Sequence, residues 1–237
     1  MSNSFTYRSE QSEILDSSVD KDLLFKNLHE LDLLNTYLGG YYTSISGIKR
    51  MVTDRQRVYH IVDIGCGSGS VLKKIALWAR KNNFKVKLTG VDINPETIEF
   101  LKDNCRLFPE IQAVANDYAM FLKNEKHIDI VHCSLFLHHL NNAEILNLFF
   151  QVKNKINIGC IINDLSRNKF SFYAAKFLTT IFNASVAAKH DGPVSVLKGF
   201  KHNELEELLK AAEIKNYSIR RLFGYRYLIL IMNLNSK

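Results

Sequence analysis

The chain reads as an α/β protein with a mostly parallel sheet, helices on both faces and an antiparallel hairpin at the C-terminus. Three features carry that expectation. Apolar runs of strand length alternate with helix-period stretches from residue 60 to residue 212. The first run, His60-Ile-Val-Asp-Ile64, leads directly into Gly65-Cys-Gly-Ser-Gly69, the glycine-rich strand-to-helix turn of a nucleoside-binding βαβ unit. Two apolar runs, near 216–222 and 225–232, then close the chain around a tight turn at Gly224.

Residues 1–20 are polar and rich in serine and acid, and a loose leader is expected there. Leu23, Leu24, Leu28, Leu31, Leu34 and Leu38 recur at helical spacing before Gly39-Gly40, so a helix over 21–38 should end on glycine. A second short helix over 43–53 completes an N-terminal attachment spanning 21–55. Strands are expected near 60–64, 86–91, 111–115, 128–133 and 157–163, with helices between them near 69–82, 95–105, 118–123 and 142–154. Asn94-Pro95-Glu96 gives the second of those helices an N-cap and a first-position proline. Residues 165–200 form a cap insertion whose aromatics, among them Phe170, Phe172, Tyr173, Phe177 and Phe182, are expected to pack on the core and to wall an apolar pocket. Within it His190-Asp-Gly-Pro-Val-Ser195 reads as a polar turn. A last helix covers 201–212, and residues 21–237 are expected to form a single domain.

Composition narrows the function classes. Hydrophobic residues make up 46% and charged residues 23%, as in a globular protein with a sizeable core. Cysteines 66, 105, 133 and 160 are far apart and lack CxxC spacing, which points to buried thiols rather than disulfides or zinc. The start of the chain has neither a basic segment nor an apolar block, and no apolar run reaches membrane-spanning length, so a cytoplasmic protein with no membrane span is expected. The net charge of +7 is spread out; its densest patch, Lys73 to Lys87, reads as a solvated helix face, and no nucleic-acid partner is expected.

The details of the glycine turn select the ligand. Dinucleotide binding calls for G-x-G-x-x-G/A, whereas here Gly69 comes one position early and Ser70 follows. Asp63, two residues before the first glycine, would repel a pyrophosphate and suits a cationic ligand. The run Asp63-Ile-Gly-Cys-Gly-Ser-Gly with Val91-Asp92-Ile-Asn resembles the first two motifs of the class I S-adenosylmethionine-dependent methyltransferases. That resemblance implies S-adenosyl-L-methionine as cofactor, S-adenosylhomocysteine as product, and a seven-stranded Rossmann-like sheet over most of 60–232. It implies that Gly65, Cys66, Gly67 and Gly69 let the backbone approach the methionine end. Asp92, followed by Ile93, would take the ribose hydroxyls. Asn116, Asp117 and Tyr118 would meet the adenine, with Asp117 on its exocyclic amine. Cys133 and Ser134, at the carboxyl end of the fourth strand, are expected to line the cofactor.

Beyond Ser134 come His138 and His139, and the fifth strand ends on Asn163-Asp164. A histidine oriented by a carboxylate makes a general base. Similarity to small-molecule O-methyltransferases implies that role for His139 or His138 with Asp164, and makes His190 a second candidate; no metal is expected. The Tyr37-Leu-Gly-Gly40, Asn163-Asp-Leu165 and His190-to-Ser195 segments resemble bacterial enzymes of phenolic, quinone and polyketide products, which implies a hydrophobic aromatic or polyketide-like acceptor and a monomer or homodimer. Ionising a phenol of pKa about 10 at neutral pH costs roughly 4 kcal/mol, within reach of a histidine relay, so a phenol or enol oxygen is favoured. Two other functions are weighed. The first is an RNA or protein methyltransferase, of which an amine-modifying nucleic-acid enzyme would carry Asn/Asp-Pro-Pro-Tyr where this chain has Cys-Ser-Leu-Phe; the second is a non-catalytic S-adenosylmethionine-binding protein, which would not need the base.

Overall fold

The computed structural model describes residues 5–16, 19–182, 184–222 and 225–233. Helices α1 (Lys21–Tyr37) and α2 (Gly40–Met51) precede the sheet. Strand and helix then alternate: β1 (Val58–Ile64), α3 (Ser70–Lys81), β2 (Lys85–Asp92), α4 (Pro95–Asn104), β3 (Ile111–Ala115), α5 (Tyr118–Asn124), β4 (Ile130–Ser134), α6 (Asn142–Lys155) and β5 (Gly159–Leu165). The helices α7 (Lys169–Ile181), α8 (Val186–Lys198) and α9 (His202–Ala211) lead to β6 (Tyr217–Leu222) and β7 (Arg226–Met232). The seven strands form one sheet in the order β3-β2-β1-β4-β5-β7-β6, with β7 antiparallel to both its neighbours and the rest parallel. The expected turn at Gly224 lies outside the described residues.

Strands buried on both faces read as unbroken apolar runs, and the alternation of side chains divides them between two cores. Val62, Ile64 and Val131 pack with α5, α6 and α9 on one side, around Leu122, Phe149 and Leu209. Ile61, Leu88 and Ile130 pack with α2, α3 and α4 on the other, around Ile48, Leu72 and Ile98. Among the described residues no helix is long and apolar enough to cross a membrane.

Three expectations require correction. The stretch read as a loose leader is docked from residue 5 to residue 16. Arg8 donates to the carbonyls of His138, Leu140 and Lys198 at 2.9–3.0 Å, and its guanidinium lies 4.4 Å above the Phe200 ring. In return Arg167 donates to the carbonyls of Phe5 and Thr6. A polar segment can lie this close because charged side chains hold it, helped by Phe5 against Phe172 and Leu15 against the Leu24, Leu28 and Phe100 cluster.

The run read as a polar turn at 190–195 is helical, inside α8, with Pro193 in its interior. Asp191, instead of terminating the helix, accepts hydrogen bonds from the amides of Ile14 (2.8 Å) and Leu15 (3.1 Å). Gly192 faces Ala175 and Thr179 of α7, with room for a Cβ at 3.5 Å or more, so the two helices pack on small residues.

That packing turns the aromatic face of α7 outward. Ser171, Ala175 and Thr179 are buried while Phe170, Tyr173, Phe177 and Ile181 are exposed, so of the aromatics expected to wall a pocket Phe170 alone is found in the cavity described below.

Candidate active site

The carboxyl ends of β1, β4 and β5 meet under α1, where the parallel sheet exposes a crevice. Gly65, Gly67 and Gly69 all have positive φ (+62°, +51° and +73°), the conformation that carries the chain from β1 into α3. A Cβ on Gly65 would stand 2.2 Å from the Phe136 ring, and one on Gly67 would meet nothing nearer than Leu28 at 3.7 Å. The second glycine thus faces a small cavity of about 100 Å³ whose walls include Asp32, Asp63, Gly65, Cys66, Gly67 and Ser134.

Its polar walls are acidic. Asp63 sits almost fully buried, fixed by His132, whose Nδ1 lies 2.6 Å from Asp63 Oδ1 and whose Nε2 lies 2.9 Å from Ser44 Oγ. Asp92 accepts from the amides of Gly67 (3.4 Å) and Asn94 (3.0 Å), and burial raises its pKa against those hydrogen bonds. Asp32, on α1, takes the hydroxyls of Ser68 and Ser70. Among the described residues no Lys, Arg or His lines this cavity. Two wall carboxylates, Asp32 and Asp63, with Asp92 behind the Gly67 amide and no basic side chain in the wall, suit a positively charged ligand and oppose a diphosphate.

The other expected cofactor residues divide. Ile93 is 74% exposed beside Asp92, and Tyr118 is half-buried with its ring edge-to-face on Phe136. Asp117 is the N-cap of α5, accepting from Met120 N, next to a half-buried Asn116. Ser134 reaches the cavity, but Cys133 does not: strand alternation turns it into the core, where the contact with Cys160 and then burial raise its thiol pKa. All four cysteines are free and buried.

A second cavity, about 130 Å³, opens beside the first, with Leu31 and Leu135 in the walls of both. Leu135 has φ +55°, strained for a leucine, and its amide is held by the Asn163 carbonyl at 2.9 Å. The wall is largely apolar, with Leu34 and Leu38 from α1, Leu165, and Phe170, Ala174 and Ala175 from α7. Its polar members are Glu13, His138, His139, Ser171, Ser195, Tyr225 and Arg226. Of the expected histidines, His138 pairs with Asp164: Nδ1 lies 2.7 Å from Oδ1, both side chains being 1% exposed. Burial pushes the Asp164 pKa up, yet the charge and hydrogen bond of His138 outweigh it and hold the carboxyl below its ordinary range. His139 instead turns to Asp16, 3.1 Å away, and is one-third exposed. His190 bonds Asp191 and Gln11 on the outer side of α8 and belongs to the wall of neither cavity. A wider surface groove of about 820 Å³ touches both adjacent histidines from outside the docked segment but includes no glycine-turn residue.

Sequence reasoning did not single out Glu13, Asp32, Asn35, His132 or Arg226. Only His132 left a signal, a titratable side chain in an otherwise apolar strand, in register with Asp63. Arg226 is 2% exposed, donates to Asn35 and Asn163, and has its pKa lowered to about 10 by burial.

No curated protein sequence matches the chain. A family model described as a methyltransferase domain matches residues 61–159. Solved structures share the fold. The plantazolicin methyltransferase BpumL, in complex with S-adenosylhomocysteine, superposes with TM-score 0.65 at 20% identity over 92% of each chain. A SAM-dependent methyltransferase from Aquifex aeolicus gives 0.63 at 12% identity, covering 92% of this chain and all of that one. A candidate O-methyltransferase from Nostoc punctiforme gives 0.57 at 17% identity over 83% of this chain, which spans 57% of the Nostoc protein. Over residues 61–159 the chain is similar to a methyltransferase domain, and its fold is shared with structures described as S-adenosylmethionine-dependent methyltransferases.

Proposed function

We propose that the protein transfers a methyl group to a phenol or enol hydroxyl of a hydrophobic small molecule. One observation carries the reading: the buried His138–Asp164 pair stands in the wall of an apolar cavity that shares Leu31 and Leu135 with the acidic glycine-turn cavity. The residues fit S-adenosylmethionine. Asp63 and Asp32 would face its charged methionine end, the backbone at Gly65 and Gly67 would lie against it, and Asp92 and Ile93 would take the ribose and base. When bound, it supplies a methyl group on a cationic sulfur. The chain then needs to align, exclude water and remove a proton.

Asp164 orients His138 so that Nδ1 carries the proton and Nε2 is left to accept one from the acceptor hydroxyl. The apolar wall excludes water around that transfer, and α1, whose Leu31, Leu34 and Leu38 line the cavity, covers the acceptor. The Nostoc protein's description as an O-methyltransferase supports oxygen as the target.

The test is Asp164→Asn, which keeps the shape but lets the amide favour the wrong imidazole tautomer. The kcat with a phenolic acceptor is expected to fall roughly 10²–10⁴-fold while S-adenosylhomocysteine affinity stays within about twofold. Undiminished turnover in Asp164→Asn and in His138→Gln would remove the base from this reading.

A further inference from the structure

Glu13 is a buried carboxylate in a mostly apolar wall. It is 7% exposed, comes from the docked segment ahead of α1, and its Oε1 accepts no hydrogen bond among the described residues. The basic nitrogens within 4 Å of that oxygen are Lys198 Nζ at 3.5 Å, which lies closer to Asp16 Oδ2 at 3.1 Å, and His138 Nε2 at 3.7 Å. A buried acceptor left in this state is destabilising, the more so when charged, and a ligand that supplies the donor recovers that loss.

We propose that Glu13 selects ring acceptors that carry a second hydrogen-bond donor on the atom next to the methylated hydroxyl: a vicinal dihydroxy or amino-hydroxy arene. The inference rests on the cavity being the acceptor site. A single hydroxyl has one proton, and His138 Nε2 takes it. Glu13 Oε1 then needs a donor of its own beside the first. Two acceptors 3.7 Å apart match two donors on adjacent ring atoms, which are themselves separated by about a hydrogen-bond length. The cavity volume of about 130 Å³ suits one ring, since an engineered apolar cavity of about 150 Å³ takes benzene. A monohydroxy ring would leave Glu13 Oε1 without a hydrogen-bond donor, its only aid the ion pair to Lys198 that Asp16 shares, which is how a polar site rejects an analogue lacking one group.

The 237-residue chain saturated with S-adenosylhomocysteine is titrated calorimetrically with 1,2-dihydroxybenzene and with phenol, and kcat/KM is measured for both. The wild type is expected to prefer the diol by about tenfold or more in both measurements. Glu13→Ala is expected to bring the ratio to within about twofold, and Glu13→Gln, which keeps a neutral acceptor, to an intermediate value. Circular dichroism and S-adenosylhomocysteine affinity confirm that each variant is folded. His138→Gln separates the two readings: it should abolish turnover yet retain the diol preference in binding. If it leaves turnover intact while the preference persists, the base assignment fails and the role of Glu13 stands. Equal affinity for the two probes, no saturable binding of either, or a preference unchanged in Glu13→Ala overturns the proposal. So does activity lost to a chelator and restored by a divalent ion, because Glu13, His138 and His139 offer ligand atoms all within 4.8 Å of one another.

Discussion

Replacing Gly65 and Gly67 separately by alanine distinguishes two demands that the glycine turn meets at once. Both residues have positive φ, so alanine at either position costs about 1–2 kcal/mol in backbone strain. They differ in what the new methyl group meets. At position 65 it would stand 2.2 Å from Phe136 Cδ2, and the ring, packed edge-to-face on Tyr118, would have to shift. Overpacking of that kind adds roughly 1–3 kcal/mol, for a total of about 2–5 kcal/mol. At position 67 the nearest atom is Leu28 Cδ2 at 3.7 Å, ordinary contact distance, so strain is the whole penalty. For a chain of this length each kcal/mol shifts Tm by about 2–4 °C. Gly65→Ala should therefore lower Tm by roughly 10 °C and Gly67→Ala by about 5 °C or less, measured by differential scanning calorimetry without ligand. Ligand binding should not follow stability. The Gly67 methyl would project into the small cavity and should weaken S-adenosylhomocysteine binding by more than about tenfold, read by titration calorimetry. Equal Tm losses in the two variants, or full ligand affinity in Gly67→Ala, would refute the reasoning.

Three further outcomes follow from the site. Ala174→Trp should fill the second cavity, abolishing turnover of a phenolic acceptor while S-adenosylhomocysteine affinity is retained, because Ala174 lines only the acceptor side. Asp191→Ala removes the carboxylate that takes the Ile14 and Leu15 amides, a loss of about 3 kcal/mol in charged hydrogen bonds, and hydrogen exchange at those amides should accelerate on the order of a hundredfold. The pH dependence turns on His139. Burial lowers its pKa, but the hydrogen bond to Asp16 and the charge of Glu13 outweigh burial, so the folded value lies above 6.5. A raised pKa stabilises fully below 6.5, and the contribution is lost as pH rises through the folded value. Proteolysis within residues 5–16 should therefore quicken as pH rises above about 6.5, and His139→Gln should remove that dependence.

The order of elements was legible because each rests on neighbours in sequence. Alternating apolar runs predicted the parallel strands, the leucine spacing predicted α1, and Gly39, with φ +71°, ends it as expected. The glycine turn and the acids at the tips of β1 and β2 were legible for the same reason. What was misread depends on partners far away in the chain. Asp191 and Gly192 look like turn residues until Ile14, Leu15 and α7 are beside them; Cys133 is a different case, since neighbouring strand residues point to opposite faces and only one of Cys133 and Ser134 can reach the cavity.

Local periodicity and a short motif were thus enough to indicate an acid-lined crevice over a mostly parallel sheet, since backbone conformation and strand alternation act over a few residues. Which histidine meets Asp164, which carboxylate faces the acceptor and how the N-terminal segment closes over both arise from contacts spanning 26 to 177 residues of chain. Those pairings depend on charges and packing brought together by folding, and no periodicity in the sequence encodes them.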